Sequence, residues 1–231
     1  MHHIRRIFEN NAQWVEDKLR TDPRFFVESA KGQAPHFLFI GCADSRVPAN
    51  EITGTGPGEM FVHRNIANQA FPSDLNLLSV LQYAVEVLDV EHVIVCGHYG
   101  CGGVMAGCAA PNHGLVDNWL GQIRELHHAY HDQLEALPDD KARHHRMVEL
   151  NVLKQVRNLS RTPVVQKAWA RGKRPMLHGF VYDLADGYLD PLIVGVECKP
   201  TADRLRDLWG ACDTERRSRS ELIASISPAA R

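Results

Sequence analysis

Short apolar runs bounded by turn residues alternate along this chain with longer segments in which apolar positions recur every three to four residues. The apolar runs predict strands at 36–42, 59–64, 92–97, 176–182 and 189–196. The longer spacing predicts helices at 3–20, 24–30, 73–88, 115–137, 139–159, 163–171 and 201–210, and glycines predict a loop at 52–58. This order predicts an α/β fold, in which a central, mostly parallel β-sheet with an antiparallel edge is flanked by helices.

Length and composition favour a single core. The chain has 231 residues, 44% of them hydrophobic, and no linker-like segment divides it. Residues 1–210 are therefore predicted to form one domain that begins with an N-terminal helical arm at 1–34, and 211–231 to form a C-terminal tail. The first helix would carry an apolar stripe made of Ile4, Ile7, Phe8, Trp14, Val15 and Leu19.

Charge and cysteine usage narrow the class of protein. The net charge of -2 gives no basic field for a nucleic acid, and no apolar run has the length of about 20 residues that a membrane span needs. The N-terminus lacks the apolar centre of a signal peptide, which predicts a cytoplasmic location. In that compartment the six cysteines are expected to be reduced thiols or metal ligands rather than a disulfide framework.

Two clusters of reactive side chains follow two of the predicted strands. The first contains Cys42, and the second contains His98 and Cys101. Because ligands gather beyond the carboxyl ends of parallel strands, the two clusters are expected to meet. Two thiols and one imidazole predict a zinc site with three protein ligands, whose fourth position is open for water or for Asp44.

The residues next to the predicted ligands favour a catalytic site. Residues two apart in an extended segment share a face, so Asp44 could either ligate the metal or pair with Arg46. Gly102 and Gly103 begin a predicted helix, where free backbone N–H groups favour an anion.

The residues around the glycine turn fit other kinds of site less well. A phosphate-binding loop is disfavoured because the glycine turn lacks a Lys-Ser/Thr ending, and a cysteine phosphatase would need an arginine at Pro48. A structural zinc site with Asp44 as a permanent fourth ligand is the alternative from another class. The remaining cysteines (Cys96, Cys108, Cys198 and Cys212) are predicted to be small buried side chains. The helical histidines His127, His128, His131, His144 and His145 are predicted to lie on solvated faces.

The motifs resemble those of the β-class carbonic anhydrases. The likeness rests on Gly-Cys-Ala-Asp-Ser-Arg-Val-Pro at 41–48 and Gly-His-Tyr-Gly-Cys-Gly-Gly at 97–103, and it extends through 61–65, 74–76, 149–152 and 178–179. It implies reversible hydration of carbon dioxide to bicarbonate and a proton, one zinc ion per subunit, and a homodimer or homotetramer. A hydrolase of the carbon disulfide type on the same scaffold is the nearer alternative.

The resemblance also implies roles for individual residues. Asp44, held by Arg46, would accept a hydrogen bond from the attacking hydroxide and act as a gate at the metal. Gln33 would donate to the substrate oxygen across the dimer interface. Ile66, Tyr83 and Val87 would line the substrate pocket, together with Gly102 and Gly103.

One departure from the family concerns regulation. In a bacterial, allosteric subgroup that this chain resembles, a tryptophan, an arginine and a tyrosine hold a regulatory bicarbonate. Arg64 and Tyr182 match two of these residues, whereas Phe39 stands in the place of the tryptophan and has no N–H donor. The hypothesis is a weakened bicarbonate switch, and the alternative is that the three side chains only pack.

Overall fold

The computed structural model describes residues 2–110, 112–172 and 174–198. The predicted helix at 201–210, the tail at 211–231 and Cys212 lie outside these ranges. Within them, no helix combines the length and the apolar character that crossing a bilayer requires.

A five-stranded sheet forms the centre of the fold. Its strands are β1 (Phe37–Cys42), β2 (Met60–Asn65), β3 (His92–His98), β4 (Met176–Tyr182) and β5 (Leu189–Val196). Their spatial order is β2-β1-β3-β4-β5; the first four are parallel and β5 is antiparallel to β4. The predicted mostly parallel sheet with an antiparallel edge is confirmed. Strands β1 and β3 are apolar along nearly their whole length because both of their faces are covered.

Ten α-helices surround or precede this sheet in the described ranges. They are α1 (His2–Thr21), α2 (Phe25–Ser29), α3 (Ala49–Thr53), α4 (Leu75–Gln82), α5 (Gly102–Cys108), α6 (Val116–Trp119), α7 (Gly121–Ala129), α8 (His131–Glu135), α9 (Asp140–Ser160) and α10 (Pro163–Ala170). A 3₁₀ turn at Ile66–Asn68 follows β2, and a π-helical turn at Tyr83–Val87 follows α4.

Three predicted elements differ from the structure. The single helix predicted at 115–137 is three short helices, α6 to α8, because the chain turns after Trp119 and after Ala129 so that Leu120, Ile123 and Leu134 are all buried. The helix predicted at 73–88 widens into the π turn after Gln82. The loop predicted at 52–58 begins later, since α3 continues to Thr53 and ends at Gly54, whose φ is +66°.

The sheet separates a large core from a small one. The large core lies under α4, α5, α7 and α9, and the small one consists of Phe39, Ala49, Met60, Ile94 and Cys96. Helix α9 packs closely on β3 and β4 where they carry Gly97 and Gly179. A Cβ atom at these glycines would lie 2.6 Å and 2.9 Å from the side chain of Val152, so the close approach requires glycine.

Helix α1 contributes no buried residue to the single chain. Its apolar residues Ile4, Ile7 and Phe8 are 58%, 60% and 70% exposed. Its second half is attached to α2, where Trp14 makes edge-to-face contacts with Phe25 and Phe26. The predicted N-terminal helix is therefore present, and its apolar stripe faces away from the core.

Candidate metal centre

The ends of β1 and β3 bring the three predicted ligands together. Cys42 is the last residue of β1 and His98 the last of β3, while Cys101 precedes the first turn of α5. The turn between His98 and Cys101 contains Gly100 with a φ of +71°, a conformation that glycine adopts without strain. The ligand atoms of the three residues lie within 4.8 Å of one another, and all three residues are buried.

The distances within this cluster fit a tetrahedral zinc ion. The sulfur atoms of Cys42 and Cys101 are 3.8 Å apart. Two Zn–S bonds of about 2.3 Å at a tetrahedral angle would also separate the sulfurs by about 3.8 Å. His98 Nδ1 lies 3.1 Å from the carbonyl oxygen of Tyr99, which leaves Nε2 to face the sulfurs. That Nε2 is buried and has no hydrogen-bond partner in the described part of the chain, as expected of a metal-binding nitrogen.

The two sulfurs also influence each other's protonation. A hydrogen bond from the Cys101 thiol lowers the pKa of Cys42, whereas the same contact and burial raise the pKa of Cys101. The contact therefore favours ionisation of the Cys42 thiol and disfavours ionisation of the Cys101 thiol. A divalent ion would allow both thiols to ionise, because it neutralises the second charge.

Asp44 lies beside this cluster and is paired with Arg46. Its Oδ1 accepts from Arg46 Nε at 2.9 Å and its Oδ2 from Arg46 Nη2 at 2.7 Å, so the pair is bidentate. The Arg46 side chain holds the pKa of Asp44 well below its usual range. Asp44 Oδ2 is 3.7 Å from His98 Nε2. The carboxylate thus lies at the cluster while both of its oxygens are bonded to the guanidinium.

Comparison with known proteins agrees with this site. A model of the carbonic anhydrase family matches residues 37–189. A carbonic anhydrase of Emericella nidulans is 48% identical over 187 residues, which cover 81% of this chain and 82% of that protein. The solved β-carbonic anhydrase of Coccomyxa, in complex with acetazolamide, is 35% identical with a TM-score of 0.82 and covers 97% of both chains. A tetrameric β-carbonic anhydrase of Sordaria macrospora is 37% identical with a TM-score of 0.80, covering 84% of this chain and 99% of that one.

The chain belongs to the β-class carbonic anhydrases. The predicted family and enzyme class are therefore confirmed. Carbonic anhydrases of this class are zinc enzymes, and the cluster of Cys42, His98 and Cys101 fits that ion. The predicted bacterial, allosteric subgroup and the cytoplasmic location stay predictions.

The residues that this β-carbonic anhydrase was predicted to use in its substrate pocket lie in different surroundings. Ile66 is next to Gly103, where a Cβ atom would lie 2.7 Å from Ile66 Cγ2, and Ile66 is 42% exposed. Tyr83 and Val87 lie in the π turn and are 47% and 62% exposed, with the Tyr83 ring 5.9 Å from that of Phe61. Gln33 is exposed in the segment between α2 and β1. Their roles stay predictions.

Gly102 and Gly103 begin α5, and Cys101 is the residue before the helix. Gly103 lies against the turn after β2, where a Cβ atom on it would be 3.2 Å from Ala67 Cβ. The anion contact predicted for the backbone N–H groups of these glycines stays a prediction.

The predicted regulatory residues lie in and beside the small core. Phe39 is buried, and Tyr182 packs against the same cluster. Arg64 donates from Nε to the carbonyl oxygen of Cys42 at 2.8 Å and from Nη2 to that of Asp44. The guanidinium thus holds the segment that carries both a metal ligand and the carboxylate.

A buried network behind His98 was missed by the sequence analysis. The Tyr99 hydroxyl donates to Glu149 Oε1 at 2.9 Å, and Glu149 Oε2 pairs with Arg146 Nη1 at 3.2 Å. The ring of His145 stacks on that of Tyr99 at 4.0 Å, and His145 is half-buried rather than fully solvated. His128 and His131 are exposed as predicted, whereas His127 and His144 are half-buried. The segment 149–152 belonged to the family resemblance, which was the only signal for this network.

Burial explains why two of the other cysteines are not metal ligands. Cys96 is fully buried, as predicted, and burial raises the pKa of its thiol to about 12. Cys108 is half-buried, and burial raises its pKa to about 11. Cys198 is also only half-buried. Both raised pKa values keep the sulfur protonated at neutral pH, unlike a zinc-bound thiolate.

Proposed function

We propose that this protein catalyses the reversible hydration of carbon dioxide to bicarbonate and a proton, with one zinc ion per chain held by Cys42, His98 and Cys101. The observation that carries the proposal is the buried Nε2 of His98, which has no hydrogen-bond partner among the described residues, faces two sulfurs 3.8 Å apart and lies 3.7 Å from Asp44. When bound, the zinc ion supplies a Lewis acid that lowers the pKa of a ligated water to about 7.

The chain itself contributes a fixed acceptor at the metal. Because Arg46 holds the pKa of Asp44 low, the carboxylate is ionised and can only accept a hydrogen bond. It would therefore orient the nucleophile by accepting a hydrogen bond from it. The bidentate pairing with Arg46 occupies both carboxylate oxygens, which supports the gate predicted from the spacing of Cys42, Asp44 and Arg46. A permanent fourth ligand would not need that partner, so the pairing argues against a purely structural zinc site.

A second copy of the chain is proposed to complete the substrate pocket. Ile66, Tyr83 and Val87 are exposed in the single chain, and so is the apolar stripe of α1. Surfaces of this kind favour an interface. The structural neighbour from Sordaria macrospora is tetrameric, which supports a homodimer or homotetramer here, with Gln33 acting across the interface.

We further propose that bicarbonate inhibits this enzyme only weakly. Arg64 bonds to the carbonyl groups of Cys42 and Asp44, so an anion that drew Arg64 away would release the segment that holds the Asp44 gate. Phe39 provides no donor beside it, and one missing hydrogen bond to an anion costs about tenfold or more in affinity.

The proposed function is tested by carbon dioxide hydration in a stopped-flow assay combined with elemental analysis for zinc. We expect about one zinc ion per chain and rapid hydration in the parent protein. Cys101→Ser should lose both, because the cluster loses a thiolate ligand. Cys108→Ser is the matched control: it removes a half-buried thiol outside the cluster and should retain both.

Two results would contradict this assignment. Stoichiometric zinc in Cys101→Ser would show that the metal is held elsewhere. A zinc-loaded parent protein that hydrolyses carbon disulfide and does not hydrate carbon dioxide would identify the alternative hydrolase.

A further inference from the structure

Residues 66–70, called the 66–70 turn below, are irregular backbone that runs through the protein interior. Ala67 and Gln69 are fully buried, and Asn68 and Ala70 are nearly so. Ala67 and Asn68 have φ values of 62° and 45°, a left-handed conformation that is unfavourable for residues other than glycine. Buried backbone groups outside a helix or strand need partners from elsewhere in the chain, and a strained conformation persists only where such partners hold it.

One face of α9 supplies three of these partners. Asn151, Gln155 and Asn158 follow a helical spacing, so their side chains share one face of the helix. The Asn151 amide donates to the carbonyl oxygen of Ala67 at 2.9 Å. Gln155 Oε1 accepts from the N–H of Ala70 at 2.9 Å, and the Asn158 amide donates to the carbonyl oxygen of Ala70 at 3.0 Å. The turn is thus bonded to α9 at two of its residues.

The three amides are also bonded to one another. Gln155 Nε2 donates to Asn151 Oδ1 at 2.8 Å, and Asn158 Nδ2 donates to Gln155 Oε1 at 3.0 Å. Because each amide fixes the orientation of the next, Asn151, Gln155 and Asn158 form one connected amide ladder. The ladder therefore transfers the rigidity of a long buried helix to the 66–70 turn.

The first residue of this turn is Ile66, which lies beside the metal cluster. Its Cγ2 atom is 2.7 Å from the place that a Cβ atom on Gly103 would occupy, and Gly103 is two residues after Cys101. Its carbonyl oxygen accepts from Trp119 Nε1 at 2.8 Å, and the carbonyl of the next residue is the one that Asn151 holds. Ile66 is thus a partly exposed apolar side chain next to the cluster, on a backbone that is held from inside the protein.

We propose that the amide ladder positions the Ile66 wall of the carbon dioxide pocket, with Asn151 as its principal positioning residue. The inference rests on the proposed function. The ladder acts through the backbone that carries Ile66 and not through contact with the substrate. An apolar wall binds the substrate and the transition state about equally, so displacing it should raise KM and leave kcat unchanged.

The test measures kcat and KM for carbon dioxide hydration by stopped flow, with zinc content and thermal unfolding recorded for each variant. Asn151→Ser shortens the side chain and removes the bond to Ala67. We expect KM to rise about tenfold, the lower end of what one missing methylene contact costs in an apolar pocket, with kcat and zinc content unchanged. Asn158→Ala, a milder change at the half-buried end of the ladder, should raise KM by a smaller factor, and it decides the matter if Asn151→Ser does not fold.

A double variant separates positioning from a general loss of stability. Ile66→Ala should raise KM by itself, and adding Asn151→Ser to it should cause no further rise, because the ladder acts only through Ile66. Asn50→Ala is the matched control. Asn50 also donates from a side-chain amide to a backbone carbonyl, that of Gly56 at 3.2 Å, so its loss should lower thermal stability and keep the parent KM.

Parent KM values in Asn151→Ser and Asn158→Ala would overturn the inference, and so would a parent KM in Ile66→Ala. A further rise of KM in the double variant, or an equal rise in Asn50→Ala, would also overturn it, because either result would show an effect that does not pass through Ile66. A parent protein that does not hydrate carbon dioxide would instead contradict the proposed function, so the two failures are distinguishable.

Discussion

The two strand ends that carry the zinc ligands are held in different ways. At the end of β3, His98 is fully buried, and the following residue, Tyr99, is fixed by Glu149 and Arg146 inside the protein. At the end of β1, Asp44 is fixed by Arg46, whose side chain is 58% exposed. Buried ion pairs resist rearrangement, whereas an ion pair with an exposed partner exchanges more readily. The β3 end is therefore held more rigidly than the β1 end, where the proposed Asp44 gate would act.

The largest effect on stability is expected from removing the buried carboxylate of Glu149 at the β3 end. Glu149→Ala would leave Arg146 without this partner in a buried position, which costs about 3–5 kcal/mol of folding free energy. We also expect weaker zinc retention, since Tyr99 loses its anchor next to His98. Chemical denaturation with a zinc assay measures both effects. Glu9→Ala, which breaks the exposed Arg5–Glu9 pair, is the control and should change stability by less than about 1 kcal/mol.

At the β1 end, we expect a substitution of Arg46 to change activity rather than stability. Arg46→Ala frees the Asp44 carboxylate to ligate the metal, so we expect turnover to fall about 10²-fold through misplacement of this group. The zinc content should stay at about one per chain, because Cys42, His98 and Cys101 are intact. Stopped-flow hydration and elemental analysis of the same sample decide the matter. Near-normal turnover at neutral pH would contradict the gate.

The pH dependence of stability should differ between the Asp44–Arg46 pair and the buried His178. Arg46 lowers the pKa of Asp44 in the folded state. The contribution of Asp44 to the free energy of unfolding is therefore complete above the pKa that Asp44 has in the unfolded chain. It is lost only as the pH falls through the lower pKa of the folded state. Between pH 7 and pH 5 this pair should not respond.

Buried His178 should respond in that interval. Burial, with a smaller effect of His92, lowers its pKa to about 4, and its Nε2 lies 3.1 Å from His92 Nδ1. Because the unfolded state then binds more protons, stability should fall by roughly 2 kcal/mol from pH 7 to pH 5. Thermal unfolding of metal-free parent and His178→Gln proteins at both pH values tests this. An unchanged slope in the variant would assign the acid sensitivity to other groups.

The smallest effect is expected from the regulatory hypothesis. Phe39→Trp restores an indole donor near Arg64 and Tyr182, so bicarbonate should inhibit at about tenfold lower concentration. The larger ring must be accommodated in a buried position, and a stability measurement should accompany the inhibition assay. Equal inhibition of both proteins at fixed pH and ionic strength would show that these residues only pack.

The strands and the metal ligands were predictable because their signals are local. An apolar run of five to seven residues that ends in a polar ligand identifies both the strand and the place where its side chain emerges. Cys42, His98 and Cys101 each lie at such an end, and the pairing of Asp44 with Arg46 follows from a spacing of two residues. The amphipathic pattern of α1 was equally local, and it predicted the helix correctly.

The supports of the site were decided only by the tertiary structure. Tyr99 and Glu149 are 50 positions apart, Trp119 and Ile66 are 53 apart, and Asn151 and Ala67 are 84 apart. No periodicity connects residues at such separations, because they meet only after the sheet and α9 have packed. The same holds for the break of 115–137 into three helices and for the outward face of α1. Helical spacing fixes which residues share a face, whereas the direction of that face depends on what the rest of the chain places against it.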